Sequence, residues 1–248
     1  MNTAQFSVVP ERRFAQFCSL AAVVLGVCLG GLAFRFDATL TDAIRSRELS
    51  GDVEKAVLLS EAFAHGSGVI VVLLALYLCG VSRGKLKQIL LLTACAGVSA
   101  NLLKSVFTRV RPYAREAFSV VENSNAFQEM GSGSFWDASV RSFPSGHAAT
   151  AVAFAISLSY AFPKARWLFI ALAVLACYQR VYAGAHYPSD VLWGGVVAGV
   201  WGLFFLRSKW YTKLADPRLA GPSLAGPSLA GPRSAGPSGL SLPDPEQE

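Results

Sequence analysis

The run Phe14–Phe34, which reads FAQFCSLAAVVLGVCLGGLAF, contains no charged residue from end to end. An α-helix needs about 20 mostly apolar residues to cross the hydrocarbon core of a bilayer. A helix also satisfies its own backbone polar groups, which lipid cannot do. The run therefore predicts a membrane-spanning helix near the start of the chain.

Similar apolar runs recur at Phe63–Val81, Gln88–Phe107, His147–Phe162, Trp167–Ala183 and Val191–Leu206. The run that starts at His147 is short, so we expect its helix to begin near Ser145 or to be surrounded by other helices. The chain is 53% hydrophobic and only 15% charged, whereas soluble domains carry about 25% charged residues. We therefore predict an all-α polytopic membrane protein with six transmembrane helices.

Positive charges are concentrated in alternate segments between the predicted spans. The basic segments have Glu11 as their only acid, and their cations are Arg12, Arg13, Arg83, Lys85, Lys87, Lys164, Arg166, Arg207, Lys209 and Lys213. Acids and bases are nearly balanced in the other segments. Because cytoplasmic loops carry the excess of Lys and Arg, we expect both termini in the cytoplasm. This distribution explains the net charge of +6 without a nucleic-acid partner.

The last part of the chain differs from the rest in composition. Residues 214–248 contain the repeat LAGPS at Leu219–Ser223 and again at Leu224–Ser228. A Pro and a Gly in nearly every five residues disfavour regular helix or strand. We predict a membrane domain over residues 1–213 and a disordered, cytoplasmic Pro/Gly/Ser-rich tail over residues 214–248.

The cysteines and acids give no metal signature. All five cysteines lie in apolar runs, and their odd number argues against a disulfide framework. The predicted spans contain no pair of Asp or Glu residues of the metal-ligand type. We therefore expect neither a metal site nor a cofactor.

Three polar clusters end or begin predicted spans at the non-cytoplasmic face. The first is KSVFTRVRP, from Lys104 to Pro112. Lys104 and Arg111 are seven positions apart, so they share a face if the helix continues. Two cations aimed at one point form an anion clamp, and Arg can bind a phosphate with two parallel hydrogen bonds. The alternative is that both cations only anchor the helix at the membrane interface.

The second cluster is FPSGH, from Phe143 to His147. Ser145 can cap the helix that follows, and Gly146 lets a ligand approach the backbone. The free amides and the dipole at a helix start favour a bound phosphate. His147 adds a group that exchanges a proton near neutral pH. Taken alone, the cluster is equally compatible with a helix cap that has a polar neighbour.

The third cluster is RVYAGAHYPSD, from Arg180 to Asp190. His186 and Asp190 are four positions apart, which suits a carboxylate that holds one imidazole nitrogen and leaves the other free to attack. Arg180 supplies a third cation. A purely structural His–Asp pair is the alternative. The third histidine, His65, stands apart from the clusters, and we interpret it as an interface residue.

Together these blocks resemble the signature of the type 2 phosphatidic acid phosphatase (PAP2) family of membrane lipid phosphatases. That signature reads Lys-x6-Arg-Pro, Pro-Ser-Gly-His and Ser-Arg-x5-His-x3-Asp, and the spacing within each block matches. The resemblance implies the helical core that this family shares with vanadium-dependent haloperoxidases. One position departs, since Gln179 stands where the family has Ser. We expect altered contacts there, either to the phosphate or to the residues that support the site, and not a loss of activity.

The resemblance also implies roles for the matched residues. His186 would be the nucleophile that forms a phosphohistidine, and Asp190 would orient it. His147 would protonate the leaving oxygen and then activate water. The phosphate oxygens would be held by Lys104, Arg111, Arg180, Ser145 and Gly146. The implied activity is a metal-independent phosphoric ester or diphosphate hydrolase.

A lipid phosphate is the substrate that this reading implies, in a bacterial inner membrane with the site on the periplasmic side. Candidates are undecaprenyl diphosphate, a lipid A phosphate, phosphatidylglycerol phosphate and phosphatidic acid; the compact size favours the first two. The aromatic residues in the loop 108–143 either frame a lipid entrance or only pack that loop. The competing interpretation of the chain is a non-catalytic phospholipid-binding or lipid-transporting membrane protein.

Overall fold

The computed structural model describes residues 3–115 and 137–214, and regular structure in this part of the chain is helical. The α-helices are α1 (Thr3–Ala33), α2 (Asp37–Arg45), α3 (Gly51–Leu59), α4 (Glu61–Ala64), α5 (Gly66–Leu78), α6 (Arg83–Leu103), α7 (Gly146–Ala161), α8 (Arg166–Tyr182), α9 (Pro188–Arg207) and α10 (Lys209–Lys213). The all-α prediction is confirmed for these residues. The predicted tail and most of the aromatic loop lie outside them.

A helix occupies each predicted span, but the helices differ in length. Three are long and apolar enough to cross a membrane: Pro10–Ala33, Arg83–Leu103 and Pro188–Arg207. A fourth crossing exists if the pair Gly51–Ala64 and Gly66–Leu78, bent by 77°, counts as one span. The chain is thus a membrane protein by these helices, while the count of six spans stays a prediction.

Helix α7 is short because it lies inside the bundle. Its 16 residues give a length of about 24 Å, less than the hydrocarbon thickness of about 30 Å. Helices α1, α6, α8 and α9 all pack against it. Most of its side chains are buried, so little of it needs to match the bilayer. It begins at Gly146, close to the start expected from the sequence.

Small residues bring α1 and α9 into close contact. A Cβ atom on Gly199 would lie 2.5 Å from the carbonyl oxygen of Ser19, and one on Gly26 would meet the side chain of Val196 at the same distance. Small residues at such an interface let helix backbones approach closely, which is how helices associate in lipid. This contact fixes α9, and with it the start of α9 at the functional end of the bundle.

The bundle has two distinct ends. At one end, the Arg12 side chain of α1 donates to the carbonyl oxygen of Leu206 near the end of α9, at 2.6 Å. At the other end lie the last residues of α6 and α8 and the first residues of α7 and α9. The three polar clusters attach to these helix ends. The short helices α2, α3 and α4 pack against α8 at this end.

Candidate active site

Backbone hydrogen bonds join the three polar clusters to one another. The Ser145 amide donates to the Asp190 carbonyl at 2.9 Å, which connects the second cluster to the third. The amide of Ser142, the residue directly before the second cluster, donates to the Arg109 carbonyl of the first cluster at 3.0 Å. The Tyr113 amide donates to the Gly184 carbonyl at 3.1 Å. The structure therefore brings together stretches that are far apart in the sequence.

His186 and Asp190 form a buried pair at the start of α9. The Nδ1 atom of His186 lies 3.6 Å from Oδ2 of Asp190 and 3.4 Å from Oγ of Ser142. That carboxylate oxygen accepts hydrogen bonds from Ser142 Oγ at 2.5 Å and from the Tyr187 amide at 2.8 Å. The Nε2 atom of His186 is buried and has no hydrogen-bond partner among the described residues. This nitrogen is free to attack a bound group.

The environment of His186 keeps its imidazole neutral. Burial lowers its pKa from 6.5 to about 4, and the nearby charges of Lys104 and Arg111 act in the same direction. Asp190 opposes this shift, both as a hydrogen-bond partner and as a negative charge. A neutral imidazole has the lone pair that a nucleophile needs. The free nitrogen is therefore in its reactive form at neutral pH.

Arg109 and Asp37 form a buried ion-pair network with Asp190. Arg109 forms an ion pair with Asp190, donates to Asp37 Oδ2 at 2.6 Å, and donates to Ser189 Oγ at 2.8 Å. The Ser189 amide donates to Asp37 Oδ1 at 3.0 Å. Burial would lower the pKa of Arg109, but Asp190 and Asp37 raise it above its usual value. The network holds the Asp190 carboxylate in one orientation.

Sequence reasoning missed this network. Arg109 occupies a variable position of the first motif, and Asp37 lies in a segment in which no motif was found. The available signal was weak: Asp37 is an acid placed just after the first apolar run, at the predicted outer face. Charged groups at such positions in a helix bundle tend to be functional.

The predicted phosphate-binding cations surround the histidines. Lys104 and Arg180 are each only 8% exposed, and Arg111 is partly buried. Burial lowers the pKa of Arg111, and the neighbouring positive charge of Arg180 adds to this. The Nε atoms of Arg111 and Arg180 have no hydrogen-bond partner among the described residues. Such a cluster of crowded cations is stabilised by a bound anion.

Ser145 and Gly146 form the start of α7. The Ser145 hydroxyl accepts a hydrogen bond from the Ala148 amide at 3.3 Å, so it caps the helix as expected. A Cβ atom on Gly146 would lie 3.0 Å from Oδ1 of Asn101. Glycine at this position therefore also allows α7 to approach α6.

His147 lies next to residues that the sequence did not connect with it. Its Nε2 atom is 3.8 Å from Oε1 of Glu61 on α4. Arg180 donates to the same oxygen, and Gln179 Nε2 donates to Oε2 of Glu61 at 3.2 Å. The ring of His65 lies against that of His147, with 5.7 Å between centroids. The charges of Arg180, His186, Lys104 and His65 all act on His147.

An apolar cavity of about 610 Å³ lies beside this polar site. Its lining residues are Phe34, Leu103, Phe107, Phe143, Pro144, Trp193, Val196, Val197, Val200 and Trp201. Leu103 and Pro144 directly precede Lys104 and Ser145 in the sequence. Two residues of the cavity wall are thus chain neighbours of predicted phosphate-binding residues. Within residues 3–115 and 137–214, no three His, Cys, Asp or Glu side chains are placed to hold a metal ion.

Curated relatives of the chain are bacterial and archaeal phosphatases. The chain is 38% identical to the lipid A 1-phosphatase of Rhizobium johnstonii over 111 residues, which covers 43% of this chain and 40% of that protein. It is 30% identical to the undecaprenyl-diphosphatase BcrC of Bacillus subtilis over 140 residues, which covers 55% of this chain and 65% of that protein. The matches thus span less than two thirds of these relatives.

A solved structure and a sequence profile complete the comparison. The crystal structure of Aquifex aeolicus LpxE has a TM-score of 0.51 and 20% sequence identity, and the match covers 69% of this chain and 94% of that one. At this identity the likeness concerns the fold, and it confirms the predicted helical core. The profile of the PAP2 superfamily matches residues 85–214, which is more than half of the chain. The chain therefore belongs to the PAP2 superfamily.

Proposed function

We propose that the chain is a membrane lipid phosphatase that hydrolyses a phosphomonoester or diphosphate through a phosphohistidine. The observation that carries this proposal is the unpartnered Nε2 atom of His186, held by Asp190 and surrounded by cations. The names of the relatives, lipid A 1-phosphatase and undecaprenyl-diphosphatase, support the same class of reaction.

In the first step, Nε2 of His186 attacks the phosphorus atom of the lipid phosphate. The bond from phosphorus to the leaving oxygen breaks, and His147 gives its proton to that oxygen. The dephosphorylated lipid leaves, and the phosphoryl group stays on His186. Asp190 stabilises the positive charge that develops on the imidazole.

In the second step, His147 takes a proton from a water molecule as the water oxygen attacks phosphorus. The bond between phosphorus and Nε2 breaks, inorganic phosphate is released, and both histidines return to their starting states. Lys104, Arg111 and Arg180 offset the charge on the phosphoryl oxygens in both steps, together with the start of α7 at Ser145. No step needs a metal ion.

The apolar cavity supports a lipid substrate. The cavity can take up hydrocarbon, and its wall includes Leu103 and Pro144, the chain neighbours of Lys104 and Ser145. Ligand sites commonly combine such an apolar wall with a few polar groups at one end. We place an isoprenoid diphosphate or a bacterial glycolipid phosphate ahead of phosphatidylglycerol phosphate and phosphatidic acid.

The charge pattern supports a site on the periplasmic side of a bacterial inner membrane. The start of α1 and the end of α9 lie together at the end of the bundle that is opposite to the site. The basic segments of the sequence also belong to that end, and basic segments favour the cytoplasm. Both termini would then be cytoplasmic.

The test is phosphate release from a panel of lipid phosphates by the detergent-purified full chain in the presence of EDTA. We expect turnover that is independent of metal, and loss of that turnover in His186→Ala. Asp52→Asn, which changes an exposed residue of α3, is the control and should keep full activity. Binding of lipid without turnover would favour a non-catalytic binding or transport protein, and full activity in His186→Ala would remove the proposed nucleophile.

A further inference from the structure

Glu61 lies at the point where three site residues meet. Its Oε1 atom accepts a hydrogen bond from Arg180 and lies 3.8 Å from Nε2 of His147. Its Oε2 atom accepts from Gln179 at 3.2 Å. Glu61 belongs to α4, which precedes all three motifs in the sequence and packs against α7 and α8. No motif of the sequence includes this residue.

The hydrogen bond from Gln179 to Glu61 involves the one residue that departs from the family signature. The side chain is only 2% exposed, and its amide reaches the Glu61 carboxylate. The family signature has Ser at this position, and a Ser side chain is too short to make the same bond from the same backbone. The departure from the signature is therefore matched by a carboxylate partner on another helix.

We propose that Glu61 is a positioning residue for His147, and that Gln179 and Arg180 hold its carboxylate in place. This inference rests on the proposed function, in which His147 donates and then accepts a proton. A carboxylate at one imidazole nitrogen fixes the ring orientation and leaves the other nitrogen for the reacting oxygen. The separation of 3.8 Å places the carboxylate and the imidazole within ion-pair distance, and catalytic contacts of this length commonly shorten in the complex with substrate.

Electrostatics give a reason for a carboxylate at this position. The groups whose charges act on His147 are basic: Arg180 on α8, His186 before α9, Lys104 at the end of α6 and His65 between α4 and α5. A protonated imidazole is unfavourable in that setting. Glu61 places a carboxylate oxygen 3.8 Å from Nε2 of His147, and a negative charge at that distance favours the protonated imidazole that the leaving oxygen needs.

The experiment compares wild type with Glu61→Gln and Glu61→Ala as detergent-purified full chains. The lipid substrate is the best one from the panel, and p-nitrophenyl phosphate is a second substrate whose leaving group needs little protonation. We expect kcat for the lipid to fall by roughly 10- to 100-fold, as for other residues that orient a functional imidazole, with KM changed less than about twofold. The alkaline limb of the kcat profile should move to lower pH, because the imidazolium loses a neighbouring negative charge.

The two substrates separate positioning from a general effect on the fold. The first-turnover burst of p-nitrophenolate should stay within about threefold of wild type, because formation of the phosphohistidine then needs little acid assistance. Gln179→Ser should change the lipid rate in the same direction by a smaller factor. Glu54→Gln, on the adjacent helix α3, is the matched control and should leave both rates unchanged.

A double variant completes the test. In a His147→Ala background, Glu61→Ala should cause no further loss, because the residue on which Glu61 acts is absent. Equal losses with both substrates, additive losses in the double variant, or an unchanged pH profile would overturn the proposal. A lower KM with a higher kcat/KM in Glu61→Ala would also overturn it, since Glu61 would then compete with the phosphate for Arg180. If wild type releases no phosphate, the proposed function fails. If wild type is active and the Glu61 variants are equally active, the proposed function stands and this inference fails.

Discussion

The site contains two imidazole–carboxylate pairs, and they differ in exposure. In the pair of His186 and Asp190, the side chains are 1% and 0% exposed. In the pair of His147 and Glu61, they are 29% and 41% exposed. Both pairs consist of one imidazole and one carboxylate, so burial and not composition separates them.

The difference matches two chemical tasks. A nucleophile benefits from a fixed orientation, and the buried pair has it through Ser142, Tyr187 and Arg109. A group that protonates a leaving oxygen and then activates water needs access to substrate and solvent, and the pair of His147 and Glu61, proposed for this task, is the more exposed one. Substitutions in each pair, in the network around it and in the apolar cavity test these two assignments.

Removal of the exposed imidazole should have the largest of these effects. His147→Ala should lower kcat for a lipid phosphate by roughly 10²–10⁴-fold, the usual contribution of general acid–base catalysis. The loss should be much smaller in the first-turnover burst with p-nitrophenyl phosphate. Stopped-flow absorbance and steady-state phosphate release measure the two quantities. Equal losses in both would show that His147 is not the proton donor.

Removal of Arg109, the cation that pairs with Asp190, should mainly reduce stability. Arg109→Met leaves Asp37 and Asp190 buried without their counter-charge, which typically costs about 3–5 kcal/mol. The thermal unfolding midpoint in detergent should fall strongly, and Arg109→Met with Asp37→Asn should recover part of the loss. Arg115→Met breaks the more exposed pair with Asp42 and should change stability by less than about 1 kcal/mol. Similar midpoints for the two single variants would contradict the account of the buried network.

The pH dependence should reveal the low pKa of the nucleophile. Protonation of His186 removes its attacking lone pair, so activity is lost as pH falls through its pKa of about 4 and is retained above it. At pH 5.5, protonation of a nucleophilic histidine with the usual pKa of about 6.5 would lower kcat/KM roughly tenfold. Protonation of His186 should lower it very little at that pH, because its pKa is lower. A profile of kcat/KM from pH 4 to 8 measures this. An acid limb near pH 6.5 that stays in place for substrates whose phosphate groups ionise at different pH would contradict the buried, neutral nucleophile.

The apolar cavity should give the smallest effect, and it acts on affinity. Val197→Trp fills part of the cavity and should raise KM for a lipid phosphate by roughly tenfold through lost apolar contact. The rate with p-nitrophenyl phosphate, which has no hydrocarbon chain, should be unchanged. Val174→Trp places the same side chain on the exposed face of α8 and should change neither. An unchanged KM for the lipid in Val197→Trp would remove the cavity as its binding site.

Local patterns in the sequence were enough to predict the positions of the long helices and of the three polar clusters. Long apolar runs gave the positions of α1, α6 and α9, and Ser145 before an apolar run gave the start of α7. These features depend on residues that are neighbours in the chain. Fixed spacing within each motif also made the predicted site residues recognisable, and the structure places them at one end of the bundle.

Contacts between distant residues could not be predicted in this way. Asp37 meets Arg109 and Ser189 across 72 and 152 positions, and Glu61 meets Gln179 across 118. No local spacing reports such pairs, because they form only when α2 and α4 fold over the ends of α8 and α9. The break between α4 and α5 was missed for a similar reason: the apolar run from Phe63 to Val81 continues across it, although the chain bends by 77°.

The most direct test of the account is the detection of a phosphoryl group on His186 during turnover. Lipid labelled in its phosphate would be mixed with the full chain and quenched under alkaline denaturing conditions, and the label would be located by peptide mass spectrometry. The account predicts an acid-labile phosphohistidine at His186 in wild type and none in His186→Ala. Turnover without labelled protein, or a label that persists in His186→Ala, would contradict the central claim.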